Sequence, residues 1–173
     1  MKPAKMQNGL VDDTQLVILE SDHLVVSVAP RVGGKITSLR HKPTGHEFLW
    51  RNTSLWLTPC PPGSAYDPNF YGGIDEILPG DVPERVDGVP YPDHGELWTL
   101  SLSATASGDG LHCSGLLPQR PSVRPAYVIG RGESTRVFRL CHHQHGRCRA
   151  PFSLETSRGA AYCRRRRHSM SGA

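Results

Sequence analysis

Polar and apolar residues alternate in short runs over the first two thirds of the chain, and no stretch keeps helical spacing for a useful length. "QLVILESDHLVVSVAP" predicts two strands, residues 15–20 and 23–29, around a Ser21-Asp22 turn. In the second, Leu24, Val26 and Val28 point one way and His23, Val25 and Ser27 the other, because successive strand side chains alternate faces. "RVGGKITSLRH" predicts a Gly-Gly turn and a third strand at 35–40, and "KPTGHEFLW" a turn and a fourth at 47–50. In "ELWTLSLSATASGDGLHCSGLL", Trp98, Leu100, Leu102 and Ala104 share one face; Thr99, Ser101, Ser103 and Thr105 share the other. "SGDG" then turns a hairpin, and Leu111, Cys113, Gly115 and Leu117 continue in the partner strand. Short strands between frequent turn signals predict an all-β sandwich or barrel. Trp50, Trp56 and Trp98 are expected in its core.

Residues 58–91 interrupt this rhythm. The segment is too long and too rich in Pro and Gly for a plain connection, and loops of that length are functional or disordered. Its aromatics, Tyr66, Phe70, Tyr71 and Tyr91, argue against disorder.

Charge divides the chain. Of its 20 Lys+Arg and 16 Asp+Glu, residues 1–118 hold eight and fourteen, whereas residues 119–173 hold twelve, all Arg, and two. The formal charge of +4 is thus the average of an acidic part and a basic tail. The parts read as a flexible N-terminus (1–14), a β domain (15–118) and an Arg/Cys/His-rich tail (119–173). No apolar run is long enough to span a bilayer. The N-terminal lysines have no apolar core behind them, as a secretory signal would. The expected compartment is the cytoplasm, where thiols stay reduced.

The acid is concentrated where the aromatics are. "YGGIDEILPGDVPERVDGVPYPDHGELW" carries seven acidic residues and one His. Carboxylates accept paired hydroxyl hydrogen bonds, and aromatic faces cover the C–H side of a sugar ring. A His adds a group that exchanges protons near neutral pH. "PDHGELW" sets His94 between two acids, with Gly95 allowing close approach. The alternative is that Asp75, Glu76, Asp93 and Glu96 are solvated loop charges and His94 a structural hydrogen-bonder. "GGK" and "YGG" lack the strand–loop–helix context of a phosphate loop.

"GGKITSLRHKPTGHEFLW", "YGGIDEILPG" and "YPDHGELW" together resemble the N-terminal half of the aldose 1-epimerase (galactose mutarotase-like) superfamily, over residues 16–117. The resemblance implies part of an antiparallel β-supersandwich with a sugar cleft on one sheet. It implies an isomerase activity, in which a Glu base takes the anomeric hydroxyl proton while a His acid protonates the ring oxygen. No cofactor and no metal are required. His94 corresponds to the family's His-Gly segment and is the expected catalytic-site residue. Arg51, in "WRN", matches a sugar-binding Arg; Asp75 and Glu96 are further substrate-binding candidates. The expected partner is a monosaccharide or sugar derivative, with no membrane and no nucleic acid, and the oligomeric state is left open.

The family is about twice as long as this chain and draws its acid His and base Glu from its second half. Nothing after Pro118 resembles that half. With suitable codons, reading the tail one base out of register can make "RVFRLCHHQHGRC" strand-like sequence, so the tail is expected to result from a frameshift near residues 118–120. The chain is then a truncated, inactive fragment with a disordered basic tail. The alternatives are a non-catalytic carbohydrate-binding β-module, or a basic-tailed protein that binds metal or nucleic acid. "CHHQHGRC" offers five metal-ligating side chains, but not at the spacing of a zinc motif. "RRRRH" lacks the interleaved aromatics of a nucleic-acid surface.

Overall fold

The computed structural model describes residues 5–116 apart from 79, 87, 108 and 109, and beyond them the backbone of five strands between residues 124 and 164. Five strands, β1 (Lys5–Val11), β2 (Thr14–Glu20), β3 (Leu24–Ala29), β4 (Lys35–His41) and β5 (His46–Glu47), pair in chain order as an antiparallel meander. Residues 5–11, assigned above to a flexible end, are therefore a strand. The β1–β2 hairpin closes through Asp12 and Asp13, with φ of 47° and 64°. Two left-handed central residues match the twist of the flanking strands in a two-residue hairpin, and Asp tolerates that conformation better than most side chains.

Cross-strand partners share a face, so the register sorts the sheet into two surfaces. Val17 faces Val28, Leu19 faces Val26, Val26 faces Leu39 and Val28 faces Ile36. Between Ser27 and Val28 the β3–β4 register shifts by one residue, leaving Thr37 as the bulged position. The bulge lets Ile36 and Leu39, three apart in sequence, reach one surface. That surface forms a core with Leu97, Leu102, Leu111 and Cys113. The last two come from β9 (Gly110–Ser114) of a separate hairpin with β8 (Ser103–Ser107); β9 alternates as the sequence predicts, whereas the described residues of β8, Ala104 included, are exposed. Burial pushes the Cys113 thiol up to about 12, so it behaves as a small apolar group. The opposite surface carries Leu16 and Ala29, covered by Leu57 and by Tyr71 of the long loop.

The loop itself contains a small antiparallel hairpin, β6 (Glu84–Val86) and β7 (Val89–Tyr91). Trp98 lies in a 3-10 turn, Leu97–Thr99, and not in the strand its alternation predicts. Tertiary bonds decide this. Gly33 N–H donates to Leu100 O at 2.7 Å, and Leu102 N–H to Pro30 O at 2.9 Å, drawing residues 100–102 along the 30–33 turn. A Cβ on Gly33, whose φ is +63°, would stand 2.5 Å from Trp98 Cα. Trp98 is 4% exposed, but Trp50 and Trp56, also expected in the core, are 64% and 72% exposed.

In the tail, β10 (Arg124–Val128), β11 (Arg136–Gln144), β13 (Ser153–Ser157) and β14 (Ala160–Arg164) pair in that order, with β12 (Arg147–Arg149) beside β11. Where the sequence predicts a disordered tail, the described backbone is paired; the rest of 119–173, and the side chains of "CHHQHGRC" and "RRRRH", lie outside the described residues. All pairings between the described strands are antiparallel, and the only described helices are two three-residue 3-10 turns, so the chain is all-β.

Candidate functional site

The site grows from one short backbone crossing. Residues 71–74 run first beside residues 50–52 and then beside β4. Asn52 N–H donates to Tyr71 O at 2.8 Å and Gly73 N–H to Trp50 O at 2.9 Å; Ile36 and Ile74 then exchange N–H···O bonds of 3.0 and 2.9 Å. An antiparallel Ile36–Ile74 pair makes Lys35 and Asp75 the next cross-strand neighbours, on the same face of the sheet. That face is the one roofed by the loop.

Lys35 is accordingly buried, with its side chain 4% exposed, and Asp75 is 2% exposed. Lys35 Nζ donates to Asp75 Oδ2 through a short contact and to Gly72 O at 3.1 Å, and it lies 5.2 Å from the centre of the Phe70 ring. Tyr66 O–H donates to the same Asp75 Oδ2 at 3.0 Å. Asp75 is thus no solvated loop charge. Burial first, then the Asp75 carboxylate, pushes the Tyr66 hydroxyl well above its ordinary pKa, so it remains a donor.

The 3-10 turn Asp67–Asn69, with Pro68 near its start, brings Tyr66 and Phe70 to one side, ring centres 5.5 Å apart. Phe70 continues to Trp50 at 6.2 Å, nearly parallel. On its other side Tyr66 meets two rings from residues 94–98. His94 stacks on it at 3.8 Å and 9°, and Trp98 meets it edge-on at 5.2 Å.

His94 is delivered by a turn closed by Gly95 N–H donating to Pro92 O at 3.0 Å. Its own φ is +58°, a left-handed conformation that costs a non-glycine residue free energy and clusters at functional sites. Glu96 N–H then donates to Leu78 O at 2.8 Å, tying the turn to the loop. His94 Nδ1 is 3.0 Å from Asp93 Oδ2, yet Nδ1 makes no hydrogen bond: the two groups are close without being aligned. The His94 side chain is 21% exposed, so one edge of the cluster meets solvent.

Of the residues singled out from the sequence, the fold joins Asp75 and His94 through Tyr66. Arg51 goes elsewhere: half-exposed, its guanidinium lies 4.0 Å from Asp12 Oδ2 and 5.1 Å from the Tyr71 ring centre. Glu96 is buried, and its carbonyl accepts from Thr99 Oγ1 at 2.8 Å and Thr99 N–H at 3.2 Å. Lys35, Tyr66 and Phe70 were not picked out as site residues. Lys35 opens a mixed polar and apolar strand, KITSLRH, and its partner is forty residues away, so no local pattern marks it. No grouping of three or more His, Cys, Asp or Glu suited to a metal occurs among the described residues. A cavity of about 590 Å3, lined in part by Gly9, Gln15, Pro30, Arg31, Leu102 and Ala104, shares no residue with the His94 cluster.

Glu76, next to Asp75, has its pKa raised to about 7, chiefly by burial and secondly by the Asp75 charge. The folded state therefore holds a proton that the unfolded state releases near 4.5. Stability should fall as pH rises through that window and level off above 7, by on the order of 3 kcal/mol in all. Urea midpoints across the window measure the slope. Glu76→Gln is expected to flatten it, and an unchanged slope would assign it to another group.

A family model described as a domain of unknown function (DUF5107) matches residues 6–78. Comparison with curated proteins gives no match. The matched segment contains the β1–β5 meander except Lys5, and the Lys35–Asp75 pair, and it stops before the His94 turn. Among the described residues no helix is long and apolar enough to cross a membrane.

Proposed function

We propose that the chain is a partial galactose mutarotase-like β-sandwich whose Tyr66–His94 cluster binds a monosaccharide, with His94 as the proton-exchanging group at the anomeric centre. The observation that carries this reading is His94 itself. A solvent-reaching imidazole is held in a costly backbone conformation, face to face with a tyrosine anchored by a buried ion pair. Such rigid mounting suits a group that must meet a ligand at a fixed angle. The exposed Trp50, stacked with Phe70 beside the cluster, offers an apolar face of the kind that covers sugar C–H groups. Mutarotation needs a base as well as an acid, and the resemblance places the family's acid His and base Glu in a second half that nothing after Pro118 resembles. The chain alone should therefore bind sugar and accelerate anomer exchange little.

The test is a titration of the purified chain with galactose and glucose, followed by His94 ring resonances, together with anomer exchange by NMR. We expect saturable shifts at His94 and exchange no faster than in buffer. His94→Asn, which tolerates the left-handed backbone, should keep the fold and weaken binding about tenfold or more. Equal affinity in the variant would remove His94 from the site, and no shift with either sugar would overturn the reading.

A further inference from the structure

The meander ends on two unequal edges. β5 has two residues, whereas β1 has seven and, among the described residues, pairs with β2 alone. The free N–H and C=O groups of a long edge invite another strand, so edges are usually blunted by proline, a bulge or charge. β1, KMQNGLV, has no proline, its register with β2 is unbroken, and its single charge, Lys5, stands at its start. The two-residue Asp12-Asp13 turn closes on the Val11–Thr14 pair. Val11, Gly9, Gln7 and Lys5 therefore turn their backbone polar groups toward β2, and Met6, Asn8 and Leu10 turn theirs outward.

The side chains of these three outward residues share a surface with the core. Met6 is the cross-strand partner of Leu19 and Asn8 that of Val17, on the face where Leu111 and Cys113 pack. At the margin of that face Met6 and Leu10 are 38% and 64% exposed. The cavity of about 590 Å3 lies beside them, with Asn8, Leu10, Val17, Leu102 and Ala104 in its wall.

We infer that β1 pairs antiparallel with β1 of a second copy of this chain, about a two-fold axis at Asn8. The strand is complementary to itself in that register. Asn8 stands opposite the partner's Asn8, and Met6 of each copy opposite Leu10 of the other. All of these residues have outward backbone groups, so N–H···O=C bonds continue the meander across the axis. The four apolar side chains meet on the core face, where the partner's Met6 lies against Leu10 at the cavity margin and both leave water. An axis at Gln7 or at Gly9 would instead set Met6 or Leu10 opposite Asn8. Charge agrees with the same register. Lys5 falls opposite Val11, one residue from the partner's Asp12-Asp13 turn, and Glu20, the neighbour of Lys5 on β2, is already bridged by Lys42. The two-fold uses both β1 edges, so assembly closes at two copies. The pairing is independent of sugar binding.

Sedimentation equilibrium of the full chain tests it. With one strand a side the interface is small, and monomer should pass to dimer with a dissociation constant on the order of 10 µM. Asn8→Pro removes an N–H that faces away from β2, so it spares the β1–β2 bonds and should weaken the dimer about tenfold or more. Asn8→Cys should give, on mild oxidation, a dimer whose digest contains a peptide joined to its own copy through position 8. Opposed residues at such a site have Cα atoms about 5.5 Å apart, within disulfide reach. A chain that stays monomeric at about fifty times that constant overturns the pairing. So does a dimer that keeps its affinity in Asn8→Pro, because the contact then lies on another surface. If Asn8→Pro fails to fold, the link through position 8 decides, and its absence overturns the register.

Discussion

Lys35→Met is expected to cost the fold about 3–5 kcal/mol, a large share of the stability of a domain this size. The substitution keeps the apolar stem and removes only the ammonium group. What it leaves behind is Asp75, 2% exposed, with Tyr66 as its single remaining hydrogen-bond donor. An uncompensated carboxylate in that position must either bear its desolvation or take up a proton, and either route subtracts from stability. The pair as a whole contributes far less, because desolvating two ions offsets most of their attraction. Lys35→Met with Asp75→Leu should therefore recover most of the loss. Urea unfolding followed by tryptophan fluorescence gives both numbers. A single-variant cost below about 1 kcal/mol would mean that the contact is not held in the folded protein.

Gly73→Ala is expected to be nearly as damaging, by about 3 kcal/mol or more, for a purely geometric reason. Gly73 has φ +78°, and a Cβ there would stand 2.2 Å from Ile36 O, a backbone atom that cannot swing aside. Relief requires opening the paired bonds between Ile36 and Ile74. Those bonds are also what sets Lys35 opposite Asp75, so the site should come apart with the crossing. Gly63→Ala is the control. Its φ is +82°, but nothing lies within 4 Å of the added carbon, so only the conformational cost of about 1 kcal/mol remains. Equal unfolding midpoints for the two variants would refute the clash.

Strands β2, β3 and β4 were legible because their signal is local, whereas β1 lay in a segment expected to be flexible. In β3, Leu24, Val26 and Val28 recur at the strand period, and turns fall at Ser21-Asp22 and Gly33-Gly34. The β8–β9 hairpin was legible for the same reason, with Leu111 and Cys113 both entering the core. The alternation of Trp98 continues smoothly into Leu100 and Leu102 and so predicts strand, but Trp98 lies in a 3-10 turn. Bonds from the 30–33 turn override that local preference. Trp50 and Trp56 were expected inside on hydrophobicity alone, which does not say whether a residue lies in a loop that faces out.

The candidate site divides along the same line. His94 was legible from "PDHGELW", an imidazole among acids and a glycine. Asp75 was legible only as one acid among seven in its stretch. Its burial, its ion pair with Lys35 and its bond from Tyr66 join residues 9 and 40 positions apart, which no local pattern records. Arg51 was matched by motif and went to Asp12, because the loop crossing sets it against the β1–β2 turn.

By itself the sequence determined the all-β class, the strands β2 to β4, the split between an acidic part and an arginine-rich tail, and the concentration of acid and aromatics in one long loop. Each follows from spacing or composition, which short-range sterics and burial translate directly into structure. Only the tertiary structure decided that the loop folds back over one face of the sheet, that Lys35 meets Asp75, and that Tyr66 contacts both His94 and Trp98. Those contacts depend on a register between distant segments, fixed by a few backbone hydrogen bonds and by glycines where no side chain fits.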